Sequence, residues 1–405
     1  MRNKLKNYIS ILFCFFLLYK GVNANEPFVF NVTEIEILED GNKIYGYKGG
    51  TATSEDGSTI TAENFFYNKL TNILETSGNV KYVDKENRIV ITADKATYLK
   101  NDEKVYTTGN SKAVNENNTI TAANLEYDKI NNVFKAKKNA VVTDFQKDTT
   151  IYADEIKYLK NNEKVFTKGK TRALIENKYK FNSEDVSYYR NLGDLTSQKE
   201  SLVEDESGNI YKVKNFNYNI DKEVLKGKEV QVLAKVEGNK IDQYFFSEGF
   251  FNFKDKSHLA KETKIKTHKD VFGDKNQDPR IYGSSSFSDQ NKTVVNNGIF
   301  TSCKLNDNCP PWSIKAEKIT HDKIKKDMVY KNAILNIYDV PVLYFPKFFH
   351  PDPSVKRRSG FLQPQFNNSE TLGSSLYIPY FKTLGPDKDL TIKPTFFEKF
   401  TKFEK

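Results

Sequence analysis

The residue types able to do chemistry in this chain are few, and their spacing decides against most of it. Cys303 and Cys309 stand six apart and are followed by Pro310-Pro311. In an oxidising compartment the direct expectation for such a pair is a local disulfide. His258, His268, His321 and His350 are scattered without ligand spacing, so no metal site and no cofactor are expected. Acids and bases recur along the chain without one privileged cluster, which argues against general acid–base catalysis and against a polysaccharide-cleaving enzyme built on a parallel β-helix. No Walker sequence is present, so no energy coupling is expected here. What remains is apolar binding, and the residues that could supply it come in a series: Ile60 and Ala62, Ile91 and Ala93, Ile120 and Ala122, Ile151 and Ala153.

Those pairs belong to an internal repeat. Each is followed by a tyrosine, Tyr67, Tyr98, Tyr127 and Tyr158, and weaker copies lead to Tyr188 and Tyr218; the six tyrosines fall 31, 29, 31, 30 and 30 residues apart. Gly78, Gly109 and Gly169 each follow a tyrosine by eleven residues. Thr, Ile, Val and Tyr dominate the repeat, and turn signals such as Asn101-Asp102-Glu103-Lys104 and Asn161-Asn162-Glu163-Lys164 follow the tyrosines. One copy therefore reads as strand, turn, strand. Side chains alternate along a strand, so Ile and Ala of each pair share one face and the charged residues take the other. Stacked copies would form an open β-jellyroll or a closed β-helix. The apolar face is either ordinary core or, if one seam stays open, a groove; the small alanines favour the groove.

The ends of the chain differ from this body. Arg2, Lys4 and Lys6 precede an apolar run from Ile9 to Tyr19 and then Val22-Asn23-Ala24, the pattern of a secretory signal peptide over 1–24. Four of the 62 Lys and Arg and none of the acids lie there, so the formal charge of +9 falls to +5 behind it. The remaining charge is interspersed, and no nucleic-acid partner is expected. No later run reaches the length of a membrane helix. Residues 25–345 read as one elongated β domain. In 346–405, segments 360–366, 374–381 and 390–397 read as strands of the length and aromatic content of a transmembrane barrel, joined to the body by Lys356-Arg357-Arg358. Prolines inside those strands mark an edge or a weak seam.

Val340-Pro341-Val342-Leu343-Tyr344-Phe345-Pro346, His350-Pro351-Asp352-Pro353, Lys356 to Pro364 and Asp389-Leu390-Thr391-Ile392-Lys393-Pro394 resemble the LPS-assembly (LptD, organic solvent tolerance or OstA) family, as does Thr301-Ser302-Cys303 followed by Trp312-Ser313-Ile314. The repeat is similar to that family's OstA-type β-jellyroll. The resemblance implies an all-β protein: a periplasmic jellyroll of about thirty-residue repeats followed by the first strands of an outer-membrane β-barrel, here truncated. It implies lipopolysaccharide as cargo, a soluble LptA-type bridge protein that delivers it, an LptE-type lipoprotein plug, and a lateral opening weakened by Pro364 and Pro379. It also implies a disulfide from Cys303 to a barrel cysteine, which this chain lacks, leaving Cys309 as the candidate partner. The alternative is a soluble bridge protein of the OstA/LptA type. On either reading Ile60, Ala62, Ile91, Ala93, Ile120, Ala122, Ile151 and Ala153 line the lipid groove, and no catalysis is expected.

Overall fold

The structure, a computed structural model, describes residues 27–397 except 237, 239, 273–275, 306–310, 353, 356 and 370–372. The expected signal peptide and Cys309, with its expected disulfide, lie outside the described residues. The described residues are all-β apart from short 3-10 turns. It divides into two compact units: one runs to residue 177 and takes in 184–193, the other comprises 178–183 and 194–405. No described helix is long and apolar enough to cross a membrane, which says nothing about strands.

In the first unit each strand pairs antiparallel with the next in sequence. Ile73–Asp84 pairs with Ile89–Leu99, that with Lys104–Val114, and so on through Asn118–Asp128, Val133–Asp144, Thr149–Leu159 and Lys164–Ile175. One thirty-residue repeat is thus two strands. Antiparallel pairing excludes the parallel β-helix that was the enzymatic alternative.

Every strand is broken near its middle. The register shifts between Ser77 and Val80, Thr92 and Lys95, Thr108 and Ser111, Thr121 and Asn124, and Ala153 and Glu155. At these bends sit left-handed residues: Gly78, Gly109 and Gly169 have φ of 81°, 77° and 76°, and Lys138 stands at 64°. This explains the recurrent glycines, because a Cβ in that conformation strains the backbone. At Gly109 a Cβ would also run into the Asp94 carboxylate.

The bend gives each strand two arms that form two facing walls. Ile60, Ala62, Ile91, Ala93, Ile120, Ala122, Ile151 and Ala153 all belong to one wall and are buried. The repeat tyrosines Tyr67, Tyr98, Tyr127, Tyr158 and Tyr188 rise from the other wall and are buried too. They reach across. Tyr82 meets Tyr98 and Tyr127 with ring centroids 6.0 and 6.3 Å apart. Tyr127 donates to Asp84 Oδ2 at 3.0 Å, Asn118 Nδ2 donates to the Tyr158 hydroxyl at 3.1 Å, and Tyr188 donates to Asp144 Oδ2 at 3.0 Å. A buried phenol needs such a partner; Tyr127, Tyr158 and Tyr188 find it on an earlier strand, whereas Tyr67 and Tyr98 donate to Asn72 and Glu103 in the turn that follows them. Asp144 also accepts from Arg190 Nε at 2.7 Å, and Arg190 Nη1 reaches Glu163 at 3.0 Å.

The second unit repeats the antiparallel pattern from Ile210–Asn219 through Val224–Lys235, Ile241–Asn252, Ser257–Lys266, Arg280–Ser288, Lys292–Thr301, Trp312–Asp322 and Asp327–Ile337 to Val340–Pro351. Its last strand therefore runs past residue 345. Beyond it, the three expected C-terminal strands are each split. Gly360–Phe361, Tyr380–Thr383 and Asp389–Ile392 form one small sheet; Gln365–Ser369, Gly373–Tyr377 and Thr395–Phe397 form another. The gaps hold Pro364, Pro379 and Pro394. Leu362 N donates to Pro379 O at 2.8 Å and Ile378 N to Pro394 O at 3.1 Å, so the breaks stand side by side across three chain passes. Proline offers no N–H to the ladder, and one proline per pass at matched depth interrupts the sheet.

Two stability tests follow from the bends and the cross-wall bonds. Gly109→Val is expected to lose about 2 kcal/mol in urea unfolding, whereas Lys138→Gly at an equivalent bend gains about 0.5–1 kcal/mol. Equal effects at the two sites would refute the left-handed bend. Asp144→Ala, which leaves Arg190 buried without its main acceptor, is expected to lose about 3 kcal/mol, read in the same assay; a change below about 0.5 kcal/mol would show the pair to be idle.

Candidate ligand-binding interior

The two units fill their interiors differently. In the first, the tyrosines close the space between the walls, and the expected groove residues are packed side chains: Ile91 and Ile151 are each 1% exposed, while Ala93 and Ala153, at 7% and 8%, are the more open members. The second unit keeps space inside. A cavity of about 410 Å³ is lined by Tyr211, Val232, Tyr244, Phe246, Phe251 and Phe253 among others. A second, of about 600 Å³, is lined by Tyr244, Ile265, Ile281, Val295, Phe300, Ile319, Met328 and Tyr330. Tyr244, Thr293 and His321 border both, so the two are neighbours along one interior. Volumes of this size are those of ligand sites.

The local sequence explains the space. Where the first unit sets Ile, Ala and Tyr inward, the smaller cavity is bordered by Ala234, Ser257, Ser288 and Thr293. These small side chains stop short of the opposite wall. Aromatic pairs frame the gap: Tyr211 with Phe251 at 5.5 Å, Phe246 with Phe251 at 5.7 Å, and Phe300 with Tyr330 at 6.4 Å.

All four histidines of the chain line this interior. His258 borders the smaller cavity, His268 and His350 the larger, and His321 both. The expectation that they are scattered holds for their numbering alone, because antiparallel neighbours bring together residues far apart in sequence. They form no metal cluster: among the described residues no group of three or more His, Cys, Asp or Glu is placed to hold an ion. Each instead has its own partner. His268 Nδ1 lies 2.9 Å from Asp242 Oδ1, His321 Nε2 2.5 Å from Asp352 Oδ2, and His350 Nε2 3.0 Å from the Tyr330 hydroxyl. Burial, helped by the nearby Lys323 ammonium, pushes His258 down to about 4, and burial also lowers His350. His258 is thus neutral at neutral pH and behaves as part of the apolar wall, in contact with the rings of Phe246 and Phe251. Cys303 is half-buried, its Sγ 3.7 Å from the Trp312 carbonyl oxygen.

Residues 30–144 match the family model described as OstA-like protein. The chain is 36% identical over 118 residues to the LPS-assembly protein LptD of Shewanella denitrificans, a stretch covering 28% of this chain and 15% of that protein. It is 37% identical over 107 residues to the LPS-assembly protein LptD of Yersinia pestis, covering 26% and 13%. It thus spans only a small part of the length of these relatives. A solved structure, LptH, the LptA-homologous periplasmic component of the lipopolysaccharide transport device of Pseudomonas aeruginosa, is 14% identical with a TM-score of 0.26, covering 28% of this chain and 83% of that one. At that score the likeness does not speak for the fold. The repeat, the bent antiparallel strands and the matched stretch meet in the same residues: over about a quarter of its length this chain is similar to OstA-like protein and to the LPS-assembly proteins LptD.

Proposed function

We propose that the chain carries lipopolysaccharide to the outer membrane, with both units in the periplasm sheltering its acyl chains between their walls and the proline-split C-terminal strands forming the start of the membrane wall that receives it. The observation that carries this reading is the pair of adjoining apolar cavities in the second unit. A lipid with several acyl chains of roughly ten methylenes each would lose on the order of tens of kcal/mol in water, at about 0.8 kcal/mol per methylene. Its passage through the periplasm therefore requires an apolar shelter, and an interior framed by Phe246, Phe251, Phe300 and Tyr330 supplies one. In the first unit the same cargo would follow the wall of Ile60, Ala62, Ile91, Ala93, Ile120, Ala122, Ile151 and Ala153, which must part from the tyrosine wall to admit it.

Two further features support parts of the reading. The first strand, Phe28–Leu38, pairs along one edge with Lys43–Ser54, and Val29, Ile35 and Ile37 are exposed on it. Such an edge suits addition of a strand from a soluble LptA-type bridge protein. At the other end Phe361, Phe366 and Phe396 are 76%, 80% and 60% exposed, an apolar display that suits lipid and sets the chain apart from a purely soluble bridge protein. An LptE-type lipoprotein would sit within the completed barrel. Pro364 and Pro379 would mark its weak seam. The work is transport, with no catalytic step.

Site-specific photocrosslinking tests the proposal in cells that make the lipid. A photoreactive residue at Phe246, Ile265 or Ile91 is expected to yield lipopolysaccharide adducts, and one at the exposed Phe250 none. Adducts at Phe250 with none at the interior positions would end the transport reading. Adducts at Phe246 and Ile265 without any at Ile91 would confine the path to the second unit.

A further inference from the structure

We infer that the larger cavity of the second unit is an anion-selective amphiphile site, with Arg280 as the residue that grips an oxyanionic head while an alkyl chain lies along Ile265, Val295, Phe300 and Ile319. This deepens the proposed transport function and rests on it for the cavity's role as a lipid shelter. Arg280 is buried, 6% exposed, on the wall of an apolar cavity, yet meets no carboxylate among the described residues. A charge so placed is normally paired.

Its geometry shows what is left over. Nη1 donates to the backbone oxygen of Asp278 at 3.0 Å and to that of Cys303. These two carbonyls use both hydrogens of that nitrogen. Nε and Nη2 meet no acceptor among the described residues, so the side of the guanidinium that matches two oxygens of a carboxylate or phosphate stays available. The acids that could have taken it are engaged elsewhere. Asp278 turns its carboxylate to the Leu305 N–H at 2.9 Å and towards Lys269 at 3.6 Å. Asp242 is held by His268, and Asp352 by His321 and by the Ser354 N–H at 2.7 Å. Lys240 adds a second cation to the lining. The cavity therefore pairs an apolar floor with a fixed half-used cation, which is the pattern for a headgroup bearing at least two oxygens on one centre. A lipid phosphate and free inorganic phosphate share that chemistry, and the apolar floor favours the lipid.

Trp312, the single tryptophan, packs on Phe300 at 5.8 Å and so reports on the cavity by its fluorescence. Dodecyl phosphate, dodecyl trimethylammonium and inorganic phosphate are titrated into the whole chain below the micelle-forming concentrations of the first two. The expected result is saturable binding of dodecyl phosphate about tenfold or more tighter than of the ammonium, with inorganic phosphate failing to compete at matched concentration. Arg280→Gln is expected to erase the preference, and Arg280→Lys, which keeps the charge but loses the fork, to retain part of it. Equal binding of the two amphiphiles by the unmodified chain, or a preference that survives in Arg280→Gln, overturns the inference while leaving the cavity a lipid shelter. Inorganic phosphate binding as tightly as dodecyl phosphate also overturns it. If neither amphiphile binds, the shelter itself fails. Should Arg280→Gln not fold, the headgroup comparison on the unmodified chain and Arg280→Lys decide the matter.

Discussion

An antiparallel meander with one apolar face has to hide that face, and the first unit does it by bending its long strands upon themselves. The rest of the first unit depends on that bend. It places the Ile-x-Ala pairs on one wall and the tyrosines on the other, although both come from the same strand. The bend needs a backbone that L-residues avoid, which is why Gly78, Gly109 and Gly169 recur and why Lys138, at φ 64°, is a strained exception. A straight strand would leave Tyr127, Tyr158 and Tyr188 without their partners on the facing wall. The bent one delivers them to Asp84, Asn118 and Asp144.

The same architecture can be filled or left hollow by choice of inward side chain. Tyrosines that span the gap and end in a hydrogen bond clamp the walls, at a spacing fixed by the length of the side chain. Replacing them with small inward residues such as Ser257, Ser288 and Thr293 removes the clamp without changing the backbone plan. Close packing is the rule for protein interiors, so unfilled volume framed by aromatic rings calls for a purpose. The second unit has that volume, and its polar groups sit on the wall as partnered pairs, Arg280 excepted.

The period, the all-β class, the inward Ile and Ala positions and the turn after each tyrosine were legible from the residues, because a strand's alternation and a turn's Asn and Gly are local properties. The roles of Tyr98 and Tyr127 were not. Nothing near them in sequence shows the wall they cross to: Tyr98 meets the ring of Tyr82, and Tyr127 bonds Asp84, 43 residues back. The cavities were hidden for the same reason: Tyr244, Thr293 and His321 come from three strands, and only antiparallel register brings them to one place. The histidines illustrate the limit most plainly. Spacing rules test for ligands on one element, and these four reach one interior from three strands or their ends. At the C-terminus the prolines were visible, but reading them as interruptions within continuous strands missed that Pro364, Pro379 and Pro394 break three neighbouring passes at one level.

That level break makes the attachment of the C-terminal strands a matter of side chains more than of backbone. The basic cluster before them shows how it is achieved. Arg358 closes a two-nitrogen ion pair on the buried Asp327, at the start of the strand Asp327–Ile337. Its neighbour Arg357 faces the other way, to the Pro386 carbonyl at 2.9 Å and to Asp389 at the turn between the last two passes. Adjacent arginines thus hold the stacked strands with one hand and the proline-split strands with the other. A flexible anchor at a membrane rim would need only charge, and lysines would serve. A fork on one carboxylate and a second arginine shared between a carbonyl and a carboxylate fix an angle as well as a distance, so Arg357 and Arg358 form a joint that holds the terminal strands to the body.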